Sequence, residues 1–144
     1  MNTDTLNQRQ QEVVDEFAFF DEWMDKYEHI IELGKELPEL PMSETTDDQL
    51  IKGCQSRVWL DASLAEDGTV RYRANSDAII TKGMVSLMVR VLDGLSPATV
   101  VDADLWFLDQ IGLKEHLSPT RANGLLAMVK QMKFYGLAFQ AQRP

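Results

Sequence analysis

The sequence predicts an α+β fold, a small antiparallel sheet with helices on one side. Three observations carry this. Residues 57–75 alternate apolar and polar side chains around a short turn. Long segments before and after them repeat apolar residues at three- and four-residue steps. Ser-Pro occurs twice where such a segment starts, with Ser as N-cap and Pro at the first helical position.

The first predicted helix runs from about residue 8 to 33. Val13, Phe17, Phe20, Met24, Tyr27 and Ile31 form its stripe, widened by Trp23 and Ile30, and Gly34 is a natural C-cap. Residues 1–10 are expected to be a mobile N-terminal tail on a single domain spanning 1–144. Pro38 and Pro41 forbid a regular helix over 35–48, and Ser43 to Asp48 is loop chemistry, so an acidic loop is expected to cover the core there.

Val58, Leu60, Ala62 and Leu64 then alternate with Arg57, Trp59, Asp61 and Ser63, the period of a strand. Glu66-Asp67-Gly68-Thr69 turns the chain, with Gly68 free to take positive φ, and Val70, Tyr72 and Ala74 return it. An isolated hairpin is marginal in water, so helices must pack on it, and Asp48 to Lys52 offers a short third strand. Ser76 or Asp77 caps a helix at about 78–92, whose buried stripe is Ile80, Met84, Leu87, Met88 and Val91, ended by Gly94. Ser96-Pro97 opens a helical turn, and residues 104–111 form a short helix closed by Gly112. Ser118-Pro119 opens the last helix, about 119–139.

Composition excludes several functions. A chain of 144 residues can bury a core without staples. One cysteine and two histidines cannot build an ordinary structural zinc site, and neither common glycine-rich phosphate motif is present, so no metal and no cofactor are expected. Net charge is −9, the wrong sign for nucleic acid. It is uneven: residues 1–50 carry fourteen acids and three bases, residues 51–144 nine acids and eleven bases. The acidic third is either a solvated helical face or a surface that steers a basic partner. No apolar run suits a membrane span, the N-terminus lacks a secretory pattern, and a lone cysteine makes the cytoplasm the expected compartment.

That cysteine, Cys54, lies out of phase with every apolar stripe, at a loop-to-strand junction after Gly53. Free cysteine often packs as a small apolar group. Against that stand Gln55 and Ser56 beside it and the cations Lys52 and Arg57 nearby, which are expected to lower its pKa and raise its thiolate fraction. A hydrolytic nucleophile needs a base, for which only His29 and His116 are available, and no local hydrolase motif supports either. A dithiol oxidoreductase needs a second cysteine. A carrier, which accepts a group from one partner and passes it to another, needs neither.

Gly53-Cys54-Gln55-Ser56-Arg57-Val58-Trp59 resembles the cysteine-bearing signature of the SufE/CsdE-type sulfur acceptors. Ser76-Asp77-Ala78-Ile79-Ile80-Thr81-Lys82-Gly83 is similar to the family segment entering the middle helix. His116-Leu117-Ser118-Pro119-Thr120-Arg121-Ala122-Asn123-Gly124-Leu125 is similar to the one opening the last. The blocks keep the family's order across roughly residues 12–140. The resemblance implies a curved antiparallel sheet with helices packed on one face, as in U-type iron–sulfur scaffolds. It also implies a job: taking persulfide sulfur from a pyridoxal-phosphate cysteine desulfurase onto Cys54, stimulating that enzyme, and passing the sulfur to iron–sulfur scaffold machinery or another acceptor. The protein would not itself be an enzyme and would work as a monomer or weak homodimer.

Around Cys54 the resemblance marks Gly53, Gln55, Ser56 and Arg57 as loop-supporting or partner-binding. Asp77 either caps its helix or supports the cysteine loop. Arg121 sits in the first turn of a helix, where the macrodipole disfavours a cation, so it forms an ion pair or partner contact or is a loose surface residue. Trp23, Trp59 and Trp106 read as core or half-buried surface rather than a recognition patch. The rival reading is an adaptor on the same fold, with Cys54 incidental.

Overall fold

A computed structural model describes residues 2–142, and its order of elements is helix, helix, hairpin, then five helices. The chain begins with α1 (Asn2–Phe17) and α2 (Trp23–Leu33), followed by three short helical turns at Gly34–Glu36, Met42–Glu44 and Asp47–Gln49. The hairpin is β1 (Val58–Leu64) and β2 (Val70–Ser76). Then come α3 (Ile79–Leu92), α4 (Pro97–Asp102), α5 (Phe107–Gln110), α6 (Leu113–His116) and the long α7 (Pro119–Gln142). The molecule is a mostly helical α+β structure around a two-stranded antiparallel sheet.

The hairpin pairs Val58 with Ser76 and Leu64 with Val70. Gly68 takes φ of 85°, and the Asp67 carboxylate accepts from both the amide and the hydroxyl of Thr69, which pins the turn. Val58, Leu60, Tyr72 and Ala74 are buried under α3 and α7. Tyr72 fixes the last helix to the sheet, its hydroxyl donating to the Met132 carbonyl at 2.8 Å in a buried setting. Tyr135 repeats the tie from the helix side, donating to the Leu60 carbonyl at 3.2 Å.

Several expectations are corrected. Residues 2–10 are no loose tail: they are the first half of α1, with Leu6 3 % and Gln10 0 % exposed. Gln10 receives the Phe107 amide and donates to the Asp104 carbonyl, so α1 holds α5 in place. The single helix expected over 8–33 is broken at residues 18–22. The chain folds back there, and the rings of Phe17 and Phe20 close on His29 at 5.0 and 4.9 Å. Phe19 and Met24 are left 87 % and 63 % exposed, so Met24 is not core. Gly34 is the C-cap as expected, but it closes α2 and keeps a helical φ of −59°. No third strand forms at 48–52; only Leu50 bridges to Trp59. Neither Ser76 nor Asp77 is the N-cap of α3, which is Ala78. The helix expected at 104–111 shrinks to the four residues of α5, with α6 following.

The loop at 35–48 lies on the sheet as anticipated. Leu40 donates to Ala74, Ala74 donates to Pro38, and Leu37 and Leu40 are buried. Helices α1, α2 and α3 meet at Glu16, whose carboxylate faces His29 at 2.7 Å and Arg90 at 3.0 Å. Burial works against ionising Glu16, but Arg90 and His29 outweigh it and leave the carboxyl below its ordinary value.

Candidate functional site around Cys54

Gly53 sets the position of the cysteine. Its φ of 96° lies in the left-handed region, open to glycine at little cost, and turns the chain sharply before Cys54. The turn also brings the backbone against the last helix: a β-carbon on Gly53 would stand 3.4 Å from that of Ala127. On the far side of Cys54, Asp77 anchors the loop. Its carboxylate accepts the Arg57 amide at 3.0 Å, its own amide donates to the Arg57 carbonyl, and the Ser76 hydroxyl donates to that same carbonyl at 2.8 Å. Asp77 therefore closes the end of the cysteine loop instead of capping α3.

Between these two fixed points Cys54 is half-buried. Its Sγ lies 3.6 Å from the Gly124 carbonyl, oriented to donate. The sulfur borders a pocket of about 40 Å³ between α3 and α7, whose walls include Thr81, Met84, Thr120, Arg121 and Met128, with Gln55 and Ser56 at the loop side. Gly124 is part of the wall beside the sulfur, where an added β-carbon would stand 3.5 Å from Sγ.

The electrostatics differ from the sequence expectation. Burial pushes the Cys54 thiol above its ordinary value, and no cation offsets it. Neither Lys52 nor Arg57 lines the pocket beside the sulfur, and burial is the only cause of the shift. A raised pKa means a protonated, quiet thiol at neutral pH in the isolated protein. The expected result is alkylation of Cys54 by iodoacetamide that at pH 7 is slower than for free cysteine and keeps rising beyond pH ~8.5, the free-thiol value. Rates by mass spectrometry across pH check it; a plateau reached below pH ~8 overturns it.

Arg121 lines the pocket and stands over the Tyr27 ring, 6.0 Å from its centroid, with a 3.4 Å hydrogen bond to the phenol oxygen. Among the described residues neither Arg121 nor Arg57 has a carboxylate partner. The histidines are not brought to the thiol. His29 is engaged with Glu16, while His116 Nδ1 lies 2.9 Å from the Gly112 carbonyl and its ring stacks on Trp23 at 4.5 Å. Trp59 is buried, and Trp23 and Trp106 are half-buried against the core.

Sequence reasoning did not single out Thr81, Met84, Thr120, Gly124 and Met128 as parts of this pocket. Gly124 carried a usable signal. A glycine within a helix costs stability, so its presence there points to a close neighbour.

No group of His, Cys, Asp and Glu able to hold a metal ion occurs among the described residues. No described helix is long and apolar enough to cross a membrane.

Residues 11–135 match the SufE family, described as an Fe-S metabolism associated domain. A protein of Rhizobium meliloti described as an uncharacterised SufE-like protein is 42% identical over 127 residues, covering 85% of this chain and 90% of its own. A second such protein, of Rhizobium etli, is 36% identical over 126 residues and covers 85% of each. The solution structure of a hypothetical protein from Thermus thermophilus superposes with a TM-score of 0.74 over 92% of this chain and 96% of that one. At 21% identity it speaks for the fold.

Proposed function

The chain belongs to the SufE family of Fe-S metabolism associated domains, and on that premise we propose that it is a sulfur carrier that takes persulfide sulfur from a cysteine desulfurase onto Cys54. One observation carries the reading. The only thiol in the sequence sits half-exposed on an anchored turn, beside a pocket large enough to admit a further sulfur atom.

The chemistry is thiol exchange. The Cys54 thiolate attacks the terminal sulfur of the donor's persulfide; the Sγ–S bond forms as the donor's S–S bond breaks, and the donor leaves as a thiolate. The Cys54 proton ends in solvent or on that thiolate, and no net oxidation occurs. The raised thiol pKa keeps the resting carrier's thiolate fraction low at neutral pH, so fast transfer needs docking to favour the thiolate. A cation brought by the partner, or Arg57 or Arg121 moved toward the sulfur, supplies that. Gly53, Gln55 and Ser56 shape the loop that enters the partner's site, Asp77 holds its end, and Arg57 and Arg121 face the partner.

Pyridoxal phosphate belongs to the desulfurase. This chain contributes no cofactor and no turnover of its own; it relieves the desulfurase of its persulfide and carries the sulfur to an iron–sulfur scaffold or another acceptor in the cytoplasm. The test is intact-protein mass after incubation with a cysteine desulfurase and cysteine. Gain of one reducible sulfur at Cys54 is the expected result; no gain with any desulfurase from the same cell rejects the reading.

A further inference from the structure

We infer that Gly124 is a positioning residue that sets the room for the stored sulfur. The absence of a side chain there leaves the terminal sulfur of a Cys54 persulfide somewhere to lie out of reach of other thiols. This inference rests on the sulfur-carrier reading and adds the device by which the cargo is kept.

The geometry is specific. A β-carbon at Gly124 would stand 3.5 Å from the Cys54 sulfur, 3.7 Å from its α-carbon and 3.9 Å from its β-carbon. These are ordinary van der Waals distances, so the bare thiol tolerates alanine. A persulfide does not have the same latitude. Its terminal sulfur bonds to Sγ at about 2.05 Å. It cannot follow the line of the present S–H, because the Gly124 carbonyl closes that direction at 3.6 Å. Rotation about the Cβ–Sγ bond then offers two choices, outward to solvent or inward to the pocket.

That pocket measures about 40 Å³, against the roughly 10–15 Å³ that admits a water. That is enough to admit one further sulfur atom. Its walls suit the guest. Met84 and Met128 are almost fully buried and present polarisable thioether side chains, and Thr81 is buried beside them. A methyl group on Gly124 enters the same space next to Sγ and drives the terminal sulfur outward. Alanine is also the better helix former at this position, so the change should not harm the fold.

The experiment loads the purified full chain with inorganic disulfide at pH ~9, where more of the thiol is ionised, and then returns it to neutral pH. HS–S⁻ and the Cys54 thiol give the persulfide and HS⁻, with atoms and charge balanced and no other reactant needed. Glutathione is then added, and the loss of the extra sulfur is followed by intact mass. For Gly124→Ala the expected result is loading like the parent's, a thermal midpoint no lower, and removal of sulfur by glutathione roughly tenfold faster, since access governs thiol exchange. Thr81→Ser added to Gly124→Ala takes one methyl away from the pocket and is expected to restore much of the lifetime.

Equal lifetimes in parent and Gly124→Ala overturn the role of Gly124 while leaving the carrier reading intact. Faster loss that Thr81→Ser does not slow at all overturns the explanation by volume. A parent protein that takes up no sulfur from either the inorganic donor or a desulfurase overturns the carrier reading, and this inference with it.

Discussion

Gly83→Ala is expected to destabilise the protein by about 3–5 kcal/mol, among the largest effects a single methyl can have. A β-carbon on Gly83 would sit 2.0 Å from the Ile30 carbonyl oxygen, 2.7 Å from its carbon and 2.8 Å from Ile30 Cγ2. Two of these atoms are backbone, so no side-chain rotation relieves the clash. Helices α2 and α3 must move apart, and the contacts that depend on their approach go with them. The Ser86 hydroxyl donates to the Leu33 carbonyl at 2.8 Å one turn along, and Gly34 lies so close that its own β-carbon would be 3.1 Å from the Gly83 amide. The better helix propensity of alanine returns only about 1 kcal/mol.

A domain of this size is stable by about 5–15 kcal/mol, so the variant falls near the limit of folding. Denaturant unfolding measures it, with Gly34→Ala as the mild comparison at about 1 kcal/mol, because its closest approaches are 3.1 to 3.4 Å. A Gly83→Ala protein within about 1 kcal/mol of the parent would show that α2 rides loosely on α3. The effect also reaches the thiol. Thr81 and Met84, on either side of Gly83, line the sulfur pocket, so a displaced α3 should speed alkylation of Cys54 in whatever fraction folds.

The hairpin was readable because strand alternation and a turn glycine are local signals. Val58 to Leu64 and Val70 to Ser76 are paired through the turn they flank. The break at 18–22 was not. The apolar stripe stays in helical phase through Phe17, Phe20 and Met24, and no Pro or Gly interrupts it. The chain turns because Phe17 and Phe20 meet the His29 ring and because Glu16 gains both His29 and Arg90, contacts between residues far apart in sequence. The start of α1 had a visible clue in Leu6, Gln10, Val13 and Phe17, spaced as one helical face, but polar composition masked it.

At the site, the position of Cys54 was legible and its chemistry was not. Lys52 and Arg57 flank it by number, yet neither lines the pocket beside the sulfur, and burial alone sets the shift. The partners that matter, Gly124 on α7 and Thr81 and Met84 on α3, are separated from it by the whole hairpin. Asp77 was legible as a polar residue near a helix start. That it closes the cysteine loop by exchanging hydrogen bonds with Arg57 follows from strand register, which pairs Val58 with Ser76.

Cys54→Ser is expected to abolish sulfur uptake entirely while leaving the fold in place. The loss should be total because the sequence has no other cysteine to take over. A hydroxyl has no sulfur with which to form a persulfide, so intact mass after incubation with desulfurase and cysteine should stay unchanged. Stability should move by no more than about 1 kcal/mol. Serine is close to isosteric with cysteine, and its hydroxyl can still donate to the Gly124 carbonyl that now receives the thiol. The loop keeps its anchors, since Gly53 and Asp77 act through the backbone. The docking surface therefore survives, and the variant should compete with the parent for the desulfurase, lowering the parent's stimulation when added in excess. That pairing of lost chemistry with retained binding separates a carrier from an adaptor. An adaptor's partner would respond to Cys54→Ser as it does to the parent, and a desulfurase stimulated equally by both proteins would show that the sulfur atom of Cys54 has no part in the function.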